Sequence, residues 1–114
     1  MLRNRGECAR IGSNAINLFK ETTRSYMIST EKKSKIIADL QKDKKDVGSP
    51  EVQVGILTER VKELTAHLKI HKHDFMARRG LLQAVGKRKK LLKYIVSKDG
   101  EAYLSLIKKL GIRR

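Results

Sequence analysis

The residues with the greatest chemical capacity gather between positions 67 and 74, where His67, His71, His73 and Asp74 stand beside Lys69 and Lys72. His67 and His71 are four apart, so on a helix both rings can face one metal ion, with Asp74 adding an oxygen ligand. A helical zinc hydrolase places Glu directly after the first His, whereas here Leu68 follows His67. The same cluster can instead form a structural capping turn, or present polar groups to the minor groove of an RNA helix. Nucleophilic catalysis has less support. Cys8 is the one cysteine, without the spaced partners of a thiolate site, and the serines sit in no elbow motif or Ser, His, Asp arrangement. No catalytic residue, metal site or cofactor is expected.

Charge is the second source of chemistry. Lys and Arg number 27 against 12 Asp and Glu, a net charge of +15, which calls for a polyanionic partner. The excess lies in the second half and centres on Lys87, Arg88, Lys89 and Lys90, followed by Lys93. Four successive basic residues on a helix spread around more than one face and therefore flank an apolar stripe instead of replacing it. A merely solvated helix alternates its charge signs, and Ala84 to Ile95 contains no acid. Arg88, Lys89 and Lys90 are accordingly candidates for phosphate contact, giving salt-dependent affinity but little sequence information. Discrimination must come from polar groups elsewhere, at the histidine cluster or around Gly48 and Gln53. Tyr94, at the end of the basic run, is either a core or core-edge residue or an RNA contact.

Other polyanion binders fit less well. Membrane insertion needs a bulky apolar face, and the chain has no Trp, two Phe and no run of 18 apolar residues. An amphipathic adaptor for acidic proteins or membranes and a DNA-coating architectural protein remain as rivals. The first would sediment with liposomes, and the second would hold duplex DNA as tightly as RNA.

These residues require a helical scaffold. The length of 114 residues suits one domain. Ser29 or Thr30 can open a short helix with Ile36, Ile37 and Leu40 on one face. Lys42 to Ser49 has no apolar period and reads as a loop. Ser49 can cap a long helix, with Pro50 at its first position and Glu51 complementing its positive end. Val54, Leu57, Val61, Leu64 and Leu68 lay an apolar stripe along that helix. After a turn, Asp74 can cap a second long helix with a stripe of Met76 or Leu81, Leu82, Val85, Leu92, Ile95 and Val96. Gly80 and Gly86 inside it suggest close approach of another helix or a ligand. Asp99 and Gly100 mark a break, and a last helix carries Tyr103, Leu106, Ile107 and Leu110 before Gly111. The expected fold is all-α: a short N-terminal helix plus three antiparallel helices, the middle two long. Residues 1–26 are Arg-rich and without a sustained stripe, and read as a leader, either a transit-like segment or an artefactual extension ahead of Met27. The domain proper is then 27–114.

The stretch from Asp46 to Gln53, continued by HLKIHKHDFMARRGLL and KRKKLLKYI and closed by LIKKLGIRR, resembles bacterial-type ribosomal small-subunit protein fifteen over residues 27 to 114 without a gap. The resemblance implies a non-enzymatic four-helix protein, monomeric outside the ribosome, whose partners are small-subunit ribosomal RNA and neighbouring platform proteins. Contact with large-subunit ribosomal RNA stays open, and no membrane is involved. Such proteins bind the central domain early in assembly, gripping a three-way junction and an adjoining minor-groove motif. Carried over, the junction contacts fall on Gly48, Gln53 and Tyr94 and the minor-groove contacts on His67 and Asp74, with His71 in support. Arg78 and Arg79, with Arg88, Lys89 and Lys90 of the basic run, complete the expected RNA-binding set. Val47, Ala77 and Ser97 replace a Thr, a Ser and a basic residue of the usual pattern, together costing roughly tenfold or more in affinity. The implied location is a cytoplasmic ribosome, or an organellar one if residues 1–26 are a transit peptide.

Overall fold

The computed structural model describes residues 28–113, so the expected leader at residues 1–26 lies outside the described residues. Within them the chain forms four helices and no strand: α1 Thr30–Leu40, α2 Pro50–Ile70, α3 Phe75–Lys98 and α4 Gly100–Leu110. Each boundary has a local cause. Ser29 caps α1 by accepting from the Lys32 amide, and Asp74 caps α3 by accepting from the Ala77 amide at 3.1 Å. Gly111 closes α4 in the left-handed region at φ 60°, where the absence of a Cβ removes the steric penalty, and the Ile112 amide returns to the Ile107 carbonyl.

The start of α2 departs from expectation. Ser49 occupies the cap position, but its side chain makes no capping hydrogen bond. Asp46 orders the entry instead, its Oδ1 accepting from the amides of Gly48 and Ser49 at 3.3 and 3.0 Å. This is an Asx-type turn, in which a short carboxylate substitutes for a backbone acceptor.

Four residues, His71 to Asp74, separate α2 from α3, and the two long helices pack as a hairpin. A single residue, Asp99, separates α3 from α4, which folds back so that Leu106 joins Val54 of α2 and Ile95 of α3 in the buried core. Leu91, Leu92, Tyr103 and Leu110 surround that cluster. On its other side α2 receives α1, where Ile36 and Leu40 close over Gly55 and Lys32 pairs with Glu63 at 2.8 Å. A Cβ at position 55 would overlap Leu40 and stand 2.8 Å from Cγ2 of Ile36.

Two readings of the sequence need correction here. Met76, Leu82 and Val96 lie on exposed surface, while Ala84 and Ile95 carry the buried line of α3. Gly80 and Gly86 do not admit a neighbouring helix, since a Cβ at either would meet nothing within 4 Å. The glycine that permits close helix approach is Gly55.

Candidate nucleic-acid interface

The α2–α3 hairpin carries polar groups at both ends. At the end formed by the loop before α2, the Gln53 side-chain amide donates to the Gly48 carbonyl at 2.8 Å, tying two residues expected to work together. Lys42 braces the same loop through an ion pair with Glu51 at 2.8 Å. Partial burial of Glu51 favours its neutral form, but the Lys42 ammonium and a backbone amide hydrogen bond together outweigh that and hold the carboxyl below its ordinary range. Tyr94 approaches this end from the last turns of α3, where it and residues 49–51 line a shared recess. Its side chain is 51% exposed, which excludes a core role, and the Lys98 ammonium lies 5.9 Å from the ring centroid. Ser97, standing where a basic residue was expected, donates to the Tyr94 carbonyl at 2.7 Å.

The opposite end is the turn between α2 and α3. His67 Nε2 lies 2.8 Å from Asp74 Oδ2, so the last turn of α2 is joined directly to the cap of α3. Asp74 is held below the usual carboxylate range, first by the hydrogen bond with His67 and then by the Ala77 amide. The His71 ring sits 4.8 Å from that of His67, centroid to centroid, and is exposed. Arg78 leans over Phe75 at 5.7 Å and reaches the Lys72 carbonyl, while Arg79 is exposed. Among the described residues no group of three or more His, Cys, Asp or Glu is placed to hold a metal ion.

Between the ends runs the basic segment of α3, and its members are not equivalent. Lys87, Lys89 and Lys90 are exposed. Arg88 is half-buried on the line of Ala84, Leu91 and Ile95, and its Nε has no hydrogen-bond partner among the described residues. The sequence treated Arg88 as one of a uniform ridge, whereas the helix phase places it on the half-buried side of α3 with its Nε out of solvent. Sequence reasoning assigned no role to Asp46, although Asp two residues before Gly-Ser is itself a turn signal. Among the described residues no helix is long and apolar enough to cross a membrane.

The scaffold and these residues can be set beside known proteins. The sequence model described as ribosomal protein S15 matches residues 33–113. The chain belongs to the ribosomal protein S15 family. Among its relatives, the small ribosomal subunit protein uS15 of Carboxydothermus hydrogenoformans is 53% identical over 87 residues, covering 76% of this chain and 98% of the relative. The proteins of the same name from Roseiflexus sp. and Dictyoglomus thermophilum are 53% and 51% identical over the same coverage. The family resemblance of the sequence therefore holds, including its bacterial type. The ribosomal protein S15 family is structural and non-enzymatic.

Proposed function

We propose that this chain grips a three-way RNA junction with one end of the α2–α3 hairpin and an adjacent minor-groove motif with the other, seeding assembly of the small-subunit platform. It is a structural protein of the small ribosomal subunit, associated with the ribosome and its RNA. Gly48, Gln53 and Tyr94 take the junction, while His67, Asp74 and His71 take the minor groove. Lys89, Lys90, Arg78, Arg79 and, from its partly covered position, Arg88 neutralise phosphates along the way. Platform proteins join after this contact is made.

One observation carries the reading. Two hydrogen-bonded polar clusters stand at opposite ends of one rigid hairpin, with exposed lysines between them. Gln53 and His67 are 14 residues apart on α2, a rise of about 21 Å along the axis. A single RNA helix end would satisfy one cluster, whereas a junction with an adjoining helix offers a target for each.

The deciding measurement is the affinity of the full chain for a junction RNA carrying the adjoining motif, against a scrambled duplex at near-physiological salt. A preference of about a thousandfold is expected. Equal affinity would reduce the chain to a basic helical protein without site recognition.

A further inference from the structure

An open groove of about 450 Å³ lies between α2 and α3, lined by Gln53, Ile56, Leu57, Lys87, Lys90 and Leu91. Its floor is apolar: Ile56, Leu57 and Leu91 are only half-buried, although Leu57 was expected in the core. Its rim is cationic, with Lys87 and Lys90 both exposed and no carboxylate among the lining residues. The acids of α2 do not offset those charges. Glu51 pairs with Lys42, Glu59 with Lys62 and Glu63 with Lys32.

We infer that this groove receives one unstacked nucleotide of the bound RNA, its base on the apolar floor and its flanking phosphates at Lys87 and Lys90. The inference rests on the proposed function and adds a third contact to it. The dimensions favour a base over a peptide helix. From Gln53 to Leu57, and again from Lys87 to Leu91, the lining spans four residues, about 6 Å of axial rise, whereas a helix with its side chains is about 10–12 Å across. The charge favours nucleic acid too, because an apolar surface edged along its α3 side by two ammonium groups suits a ring whose phosphates lie along that edge. The groove is also continuous with the junction end, since Gln53 lines it and Tyr94 follows Lys90 by one turn. The Ile and Leu floor offers no hydrogen bond, so the groove selects a free base without reading its identity. Gln53, its amide nitrogen engaged by the Gly48 carbonyl, adds one acceptor at the α2 edge.

The test uses the full chain and a junction RNA carrying 2-aminopurine at one unpaired position at a time. At one position the fluorescence changes on binding, as the ring exchanges its stacked neighbours for the apolar floor. Ile56→Phe fills the groove, abolishes that change and weakens binding by about tenfold. Circular dichroism establishes that this variant is folded. Lys87→Glu, at an exposed position where folding is not at stake, reduces the signal at the same position by repelling the phosphate. If the junction is still preferred over a scrambled duplex but no position responds to either variant, the groove is empty in the complex and the inference fails while the proposed function stands. Loss of that preference in the wild-type chain overturns both. Filling of the groove by an acidic amphipathic peptide, with RNA binding undisturbed, assigns it to a protein and overturns the inference.

Discussion

His67 Nε2 and Asp74 Oδ2 stand 2.8 Å apart across the turn that joins α2 to α3, while the other oxygen of the same carboxylate accepts the Ala77 amide. One side chain thus caps a helix and fixes the orientation of an imidazole. The two tasks are separable. Serine at position 74 can still cap, because its hydroxyl accepts from the first turn, but it is too short to hold His67. Asp74→Ser is expected to lower the thermal midpoint less than Asp74→Ala does and to lose discrimination between junction RNA and scrambled duplex. Asp74→Ala is expected to lower both. Paired thermal melts and binding isotherms distinguish them, and equal damage from Ser and Ala would mean that the contact with His67, not the cap, carries both effects.

The depressed titration of Asp74 also sets a pH dependence. Its carboxyl is lowered in the folded chain, so the unfolded chain binds the proton more readily. The stabilisation is complete above the unfolded value of about 4 and disappears as the pH falls through the lower folded value. Glu51, lowered against its own burial by Lys42, acts in the same direction. Urea midpoints measured from pH 6 down to pH 2 should therefore decline most steeply below about pH 4. Asp74→Asn should flatten that decline, and an unchanged curve would remove Asp74 from the account.

Lysine and arginine in the basic run should respond differently. Lys89 is exposed, so Lys89→Ala should weaken every RNA alike, lower the salt slope by nearly one and leave the melting temperature in place. Arg88 is half-buried with its Nε out of solvent, so Arg88→Ala should reduce stability as well as affinity. Salt titrations combined with melts test the difference. Identical behaviour of the two variants would restore a uniform ridge.

The glycines give opposite signs for one substitution. Gly55→Ala places a methyl against Leu40 and Ile36 and should destabilise the chain by about 1–3 kcal/mol, loosening α1 from α2. Gly80→Ala and Gly86→Ala meet open space inside a helix and should each stabilise by about 1 kcal/mol. Denaturant titration of the three variants decides this, with hydrogen exchange in α1 reporting its release in the first.

The same glycines show how far the sequence could be read. Four helices were legible because Ser29, Asp74 and Gly111 punctuate them and because apolar residues recur at three and four. The core stripe of α4 was legible for the same reason: Leu106 and Ile107 are buried as the spacing predicts. The stripe of α2 was only half legible. That helix is covered on two sides, so Val54 faces α3 and α4 while Gly55 and Glu63 face α1, and a single amphipathic stripe cannot describe it. Val52, wholly buried, lay outside that stripe. At the site, the pairing of His67 with Asp74 was within reach of spacing alone, since Asp74 ends a short turn whose other side is the last turn of α2. The inward turn of Arg88 was not, because four adjacent basic residues carry no periodicity from which to choose the one that packs. The role of Asp46 was missed among the alternating Lys and Asp of the loop.

The unbroken run of α2 between Gln53 and His67 makes the protein a protractor as well as a ruler. Inserting one residue there would separate the two polar ends by only about 1.5 Å more, yet would rotate one against the other by about 100°. An RNA partner with some bending freedom absorbs the first change and not the second. Under the proposed two-ended contact, the property measured by this helix is therefore the angular phase between two parts of its target, and a one-residue change in α2 length is expected to cost more through rotation than through reach.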